Sequence, residues 1–272
     1  MKSLKDLMKD DYIANLKKQR NTNPTSDSSL SSTNAQSKCP ICLDRGIVVK
    51  DNVAYPCSCM QQKKMENQFR YARMARGLLN CRFENFRQEY YRSLNSQDQT
   101  YFENAKKALK ASQEFVQQCL RESHGLGLLL TGPVGSGKTF LAASIANALM
   151  EHDKRVLFLV VPDLLDELRA TYKSETSEID LLDTAREIPI LILDDLGAHN
   201  YTEWTRNRIY SIINYRLNEE LPTVITSNLS LEEMDEHLGA RTTSRLIQSC
   251  RIFRLNVDQD IRLTKYQERE KK

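Results

Sequence analysis

The stretch Leu126-Gly-Leu-Leu-Leu-Thr131-Gly132-Pro-Val-Gly-Ser-Gly-Lys-Thr139 decides the fold. Its first half, Leu126–Thr131, is an apolar run of strand length. Its second half fits G-x-x-x-x-G-K-[ST], and helix-length sequence follows. Strand, glycine-rich turn, helix is the context in which this motif binds phosphate. The glycines let backbone N–H groups turn inward onto phosphate oxygens. The helix opening at Gly137 adds the positive end of its dipole. Lys138 is expected to meet the outer phosphates, and the Thr139 hydroxyl to ligate magnesium. The expected nucleotide cradle is therefore Gly132, Pro133, Val134, Gly135, Ser136, Gly137, Lys138 and Thr139.

Downstream, apolar strand-length runs alternate with helix-length segments. The strands read as Leu126–Thr131, Val156–Val161, Ile188–Asp194, Thr223–Ser227 and Arg251–Leu255. Helices fall near 138–151, 163–173, 202–219, 231–237 and 241–249. Five buried-looking strands joined by helical crossovers predict an α/β fold, with a five-stranded, mostly parallel sheet covered by helices on both faces. The strand Ile190-Leu-Ile-Leu-Asp194-Asp195 ends in two acids. As a neighbour of the phosphate-loop strand it would bring its tip to the phosphates. Asp194 then becomes the magnesium-side carboxylate, and Asp195 polarises the attacking water. Asn228, at the tip of the next strand, can hold the γ-phosphate or that water. Arg241 and Arg245 are four apart and share a helix face. Arg262 follows the last strand.

Upstream the chain changes character. Residues 1–20 carry Leu4, Leu7, Met8, Tyr12 and Leu16 at spacings of three and four, an amphipathic pattern suited to a docking helix. Residues 21–38 are a Ser/Thr/Asn-rich linker. Residues 39–77 read as a small module. Cys39, Cys42, Cys57 and Cys59 bracket a hairpin pattern, and a helix over 60–76 is expected to end at Gly77. The spacing, C-x2-C and then C-x-C on a hairpin, can bring four thiolates to one tetrahedral zinc, and an iron–sulfur cluster would take the same four ligands. Lys63, Lys64, Arg70, Arg73 and Arg76 could form a basic, DNA-facing helix side or a solvated one. Residues 78–122 read as a mostly helical connector to the phosphate-loop domain at 123–272. Cys81, Cys119 and Cys250 read as buried structural residues. Trp204 and Tyr210 are candidates for stacking on DNA bases, with a core role open for Trp204.

The composition excludes several classes. The 272 residues are 40% hydrophobic and 28% charged, with a net charge of +3, which argues neither for nor against nucleic acid. No apolar stretch approaches the ~20 residues of a membrane span. The N-terminus lacks a secretory apolar core, and seven cysteines, an odd number, point to a reducing cytosol.

The order of phosphate loop, acidic strand, polar strand tip, arginine-bearing helix and late arginine resembles the AAA+ ATPases. Within them, GPVGSGKT, ILILDDLG, EWTRNRIYSIINYR, ITSN, GARTTSRL and DQDIR resemble the DnaI/DnaC group of replicative helicase loaders. The cysteine module resembles the N-terminal zinc region of DnaI-type members. The resemblance covers about residues 39–265. It implies sensor 1 at Asn228, an arginine finger at Arg245 with Arg241 as a second candidate, and sensor 2 at Arg262. It implies ATP, Mg2+ and Zn2+ as cofactors. As partners it implies a hexameric DnaB-type helicase, single-stranded DNA and further copies of the chain in a ring or open spiral. The usual AAA+ acidic strand ends Asp-Glu, whereas this one ends Asp-Asp, so slow turnover is expected. The helical lid that most AAA+ proteins carry after the last strand has few residues to form it here.

Three functions compete on these grounds: an ATP-controlled helicase loader, a transposition helper ATPase of the insertion-sequence type, and a zinc-dependent adaptor whose loop binds nucleotide as a switch. A GTPase is disfavoured by the lack of an N-K-x-D motif. A small-molecule kinase is disfavoured by the acidic pair followed by an arginine-bearing helix.

Overall fold

The computed structural model describes residues 39–50, 53–57, 59–60, 72–92, 100–170, 175–198 and 201–270. The docking helix expected over 1–20, the linker over 21–38, and Lys63, Lys64 and Arg70 lie outside the described residues. The chain divides into two compact units, one ending at Cys57 and the other beginning at Ser58.

The first unit contains an antiparallel hairpin of β1 (Ile47–Lys50) and β2 (Val53–Pro56), with Val48 opposite Tyr55. A hairpin this small has no room for a core, and Ile41, Leu43, Ile47, Val53 and Tyr55 are all exposed.

The second unit is built on a five-stranded sheet. Its strands are β3 (Gly127–Thr131), β4 (Val156–Val160), β5 (Ile190–Leu196), β6 (Thr223–Ser227) and β7 (Cys250–Arg254). Their order is β4-β5-β6-β3-β7, and every pairing is parallel. Among its described residues are helices α1 (Thr100–Arg121), α2 (Lys138–Glu151), α3 (Val161–Ala170), α4 (Glu175–Glu187), α5 (Glu203–Asn218), α6 (Leu231–Leu238), α7 (Ala240–Ser249) and α8 (Ile261–Glu270). Leu128, Leu129, Leu130 and Ile192 are fully buried, as strands covered on both faces require. Leu129 belongs to one apolar cluster with α3, α5 and α7, while Leu128 belongs to another with α1 and α2.

Several expectations are corrected. The acidic strand is not the neighbour of the phosphate-loop strand, because β6 lies between β5 and β3. Val161 opens α3 instead of closing β4, and Pro162 sits in the first turn of that helix, where its missing N–H costs nothing. Gly77 does not end a helix. Residues 72–75 are already non-helical, the left-handed position is Arg73 at φ 57°, and Gly77 sits in a 3-10 turn, Arg76–Leu78. The stretch 78–122 is helical only from Thr100 and otherwise carries short 3-10 turns, Phe83–Asn85 and Gln88–Tyr91. Nor is it a mere connector: α1 packs on the sheet and on α2, with Phe115 and Cys119 buried in their shared core. Polar helices α4 and α8 were not foreseen.

Residues 72–91 form a belt on the sheet unit. The Phe158 N–H of edge strand β4 donates to the Ala72 carbonyl at 2.8 Å. Arg73 pairs with Glu167 of α3. Asn147 of α2 donates to the Leu78 and Cys81 carbonyls at 2.9 and 2.8 Å, and Arg82 pairs with Glu151 at 2.8 Å. These contacts pin an otherwise irregular chain against β4, α2 and α3.

Candidate nucleotide and metal sites

Parallel pairing puts the C-terminal tips of β3, β5 and β6 at one edge, so the loop after β3, the acids of β5 and the polar tip of β6 converge there. They line a cleft of about 500 Å³ that also takes in Phe86, Tyr90, Tyr91, Phe140, Arg262 and Lys265. From the expected cradle, Val134, Gly135, Gly137, Lys138 and Thr139 line this cleft. Gly132 and Pro133 turn their carbonyls to Lys138 instead. Its Nζ donates to Gly132 O at 2.8 Å and Pro133 O at 2.7 Å. Burial pulls the Lys138 amine down to about 8, against the opposing pull of Asp195 and Asp194. Gly132, at φ 139°, leaves no space for a side chain, since a Cβ would meet the Leu255 carbonyl at 1.9 Å.

The acids are held differently from each other. Asp194 is buried. Its Oδ1 accepts from Thr139 Oγ1 at 2.9 Å and from Thr226 Oγ1 at 2.6 Å. Burial raises its pKa, and those two hydroxyls offset only part of the rise. Asp195 sits in the left-handed region at φ 62°, beside a break in the β5–β6 register between Leu193 and Leu196. A non-glycine residue there stores strain, which a surrounding network must hold. Here the Asp195 N–H donates to Thr226 Oγ1 at 2.9 Å, and Asn228 Nδ2 donates to Asp195 Oδ1 at 2.8 Å. Asp195 and Asn228 therefore form one unit at the cleft floor. The Thr139–Asp194 pair is an oxygen donor set of the kind that binds Mg2+ beside phosphates.

Arg262 reaches the cleft from α8. Arg241 and Arg245 do not. Arg245 lies with Gly125, Leu126 and Arg216 in a separate hollow, and its Nη1 donates to Gln248 at 3.1 Å. Trp204 packs against the core with the Arg208 guanidinium 5.2 Å above its ring, and Tyr210 is half-buried. Sequence reasoning missed Thr226, because only the register with β5 shows that its hydroxyl serves both acids. It also missed Tyr90, Tyr91 and Lys265 as cleft residues. Phe86 also lines the cleft, where the belt places it.

The sequence model of the IstB-like ATP binding proteins matches residues 60–268. The chain belongs to that family. Among relatives of this IstB-like chain, the replicative helicase loader DnaI of Bacillus subtilis (strain 168) is 34% identical over 46% of the chain and 40% of its own length. The replicative helicase loader DnaC of Escherichia coli (strain K12) is 29% identical over 61% of the chain and 63% of its own length. The chain thus aligns with less than two thirds of either relative. The crystal structure of the DnaC helicase loader superposes with a TM-score of 0.56 at 26% identity, covering 68% of this IstB-like chain and 100% of that one. The α/β fold with a parallel five-stranded sheet is that of these AAA+ loaders.

The second site is the cysteine cluster. The Sγ atoms of Cys39, Cys42, Cys57 and Cys59 all lie within 4.8 Å of one another. Cys39 and Cys57 sulfurs are 3.8 Å apart, close to the edge of a tetrahedron whose arms are the ~2.3 Å of a Zn–S bond. The Gly46 N–H donates to Cys42 Sγ at 3.3 Å. An iron–sulfur cluster places inorganic atoms between its cysteines and spreads their sulfurs further apart, so the donor set fits one ion better. Cys81, Cys119 and Cys250 are buried, with burial pushing the Cys119 thiol to about 12 and the Cys250 thiol to about 11. Among the described residues, no helix is long and apolar enough to cross a membrane.

Proposed function

We propose that this protein is an ATP-dependent loader of a hexameric replicative helicase. The observation that carries the reading is the cleft, where Lys138, the Thr139–Asp194 pair and the Asn228–Asp195 pair meet at one sheet edge. Lys138 exchanges its two loop carbonyls for the outer phosphate oxygens of ATP. Thr139 and Asp194 hold Mg2+, which offsets charge on those oxygens. Asp195 accepts a proton from the attacking water, and Asn228 orients that carboxylate and the water together. An aspartate reaches one methylene less far than the usual glutamate, so turnover is slow. Arg262 meets the phosphates from α8.

Arg245 lies outside its own cleft and acts on a neighbour's nucleotide, with Arg241 beside it. A contact of that kind is heterologous and builds a ring or open spiral. Chains carrying Arg245→Ala are expected to bind ATP and lose turnover. Mixing them with Lys138→Ala chains should restore part of it, and no rescue at any ratio places Arg245 in cis or outside the reaction.

The N-terminal region, residues 1–80, is the helicase-docking part, and residues 80–272 bind ATP and single-stranded DNA. Structural zinc at Cys39, Cys42, Cys57 and Cys59 holds a hairpin too small to fold on a core. Thiol titration tests the metal: the native chain exposes no rapidly reactive cysteine from the cluster, and chelation releases four thiols together with about one equivalent of zinc. Iron, or no metal, defeats the assignment. The functional test is binding of the full chain and of the chain lacking residues 1–38 to a purified helicase hexamer. Capture by the full chain alone supports the division of labour. Capture of a transposase in place of the helicase favours the transposition-helper reading.

A further inference from the structure

We infer that Tyr91 is a positioning residue of the phosphate cradle, its hydroxyl fixing the Ser136 carbonyl from behind so that the next amide is aimed at phosphate before nucleotide arrives. The inference deepens the ATP-binding reading and rests on it. Tyr91 lies 45 residues upstream of Ser136, in the last 3-10 turn of the belt, yet its Oη donates to Ser136 O at 2.6 Å. The side chain is 1% exposed, and burial pushes its pKa upward, so at neutral pH the phenol is a donor. Ser136 is itself fully buried.

Peptide geometry gives this contact its consequence. In a trans peptide the C=O of one residue and the N–H of the next point in opposite directions. No cis peptide is present among the described residues. A Ser136 carbonyl held by Tyr91 therefore sets the Gly137 N–H pointing away from Tyr91. A phosphate cradle depends on such inward amides. The neighbouring carbonyl is held from outside in the same way, since the Ile261 N–H donates to Gly135 O at 3.1 Å. Two successive peptide planes of the loop are thus oriented by groups outside it, one from the belt and one from α8. The close approach also explains the glycine at 137: a Cβ there would stand 2.6 Å from the Tyr91 hydroxyl, at φ 89°. The Tyr91 ring is held independently of its hydroxyl. It packs on Phe86 with centroids 5.2 Å apart, and Phe86 packs on Phe140 at 6.2 Å. Removing the oxygen alone should therefore leave the ring where it is.

The test is Tyr91→Phe in the full chain, with affinities for MgATP, ADP and AMP measured by calorimetry or competition. The hydroxyl serves the part of the cradle that meets the outer phosphates. ATP and ADP affinity should fall about tenfold, the size of one lost hydrogen bond to a buried carbonyl. AMP affinity should change less than twofold. At saturating ATP, kcat should stay within about threefold, giving a KM effect without a matching kcat effect. A merely structural role would lower the unfolding midpoint and leave this phosphate-dependent split absent. Unchanged ATP affinity in the variant, or an equal loss for ADP and AMP, overturns the inference while leaving ATP binding intact. A wild-type chain that binds no nucleotide overturns the ATP reading and this inference with it.

Discussion

The two ends of the central sheet each hold a buried cation, and they treat it in opposite ways. At the C-terminal edge, Lys138 rests on two carbonyls of the loop before it, and burial pulls its pKa down. At the N-terminal edge, Arg216 of α5 is 1% exposed and reaches six neutral oxygens. They are Thr223 Oγ1 and the carbonyls of Ala185, Arg186, Ile188, Pro189 and Pro222, at 2.7 to 3.4 Å. Those acceptors come from the end of α4 and from the residues entering β5 and β6. The arginine fork saturates them in a fixed geometry, and nothing in the arrangement can be exchanged. The lysine is a point charge whose partners can be replaced by phosphate. One end of the sheet is closed chemistry and the other is poised chemistry; left-handed non-glycine backbone occurs at both, at Glu220 (φ 51°) beside the arginine and at Asp195 (φ 62°) beside the lysine, and only at Asp195 does the residue carry a carboxylate into the cleft.

Exchanging the two cations' fates is the strongest way to break this comparison. Arg216→Met should cost about 3–5 kcal/mol of unfolding free energy, because it strands several buried carbonyls at once. Its folded fraction should bind ATP normally. Lys138→Met should do the reverse. Nucleotide affinity should drop at least ~100-fold, while stability without nucleotide stays level or rises, since a desolvated charge has been removed. Denaturant unfolding and nucleotide titration on both variants read the cross. If Lys138→Met is the more destabilised chain, the lysine is a structural cation after all.

A smaller effect separates poise from binding within the C-terminal edge. Asp195→Asn keeps the Asn228 contact possible in shape but removes the proton acceptor. Turnover should fall about 100-fold or more with ATP affinity within twofold. Normal hydrolysis would remove Asp195 from the chemistry and leave its left-handed backbone without a functional account.

How much of this was legible in the sequence follows the same division. The phosphate loop, Asp194, Asp195 and Asn228 were readable because their motifs are local and each residue type has a chemical reason at its spacing. Strand positions were readable to within two residues, since apolar runs bounded by breakers fix them. What the sequence did not show was assembled across distance. Tyr91 meets Ser136, Thr226 meets two acids of another strand, and Arg216 gathers carbonyls from three segments; none of these has a local pattern. The belt over 72–91 defeated the helix expectation for a similar reason. Its residues satisfy backbone groups against β4 and α2, so tertiary hydrogen bonds replace the helical ones that propensity favoured. Helices α4 and α8 were missed because their polar faces dominate a single-sequence reading.

The finest test uses two threonines of one strand. Thr223 opens the short strand β6 and Thr226 stands one residue from its end, and each hydroxyl both donates and accepts. Thr223 Oγ1 accepts from Arg216 Nε at 2.8 Å and donates to the Leu221 carbonyl at 3.1 Å. Thr226 Oγ1 donates to Asp194 Oδ1 at 2.6 Å and accepts from the Asp195 N–H at 2.9 Å. Valine matches threonine in shape, so either substitution removes the hydroxyl and little else. Each leaves a buried donor and acceptor without their partner, at about 1–3 kcal/mol. Thr223→Val should lose that stability with turnover unchanged, since Arg216 keeps five other acceptors and none faces nucleotide. Thr226→Val should lose a similar or smaller amount, because relaxing the Asp195 backbone returns part of the cost. Its turnover should fall several-fold at saturating ATP, as both acids lose the group that sets their spacing. Equal stability losses with turnover untouched in both chains would show that the hydroxyl at the C-terminal edge is as purely structural as the one at the N-terminal edge.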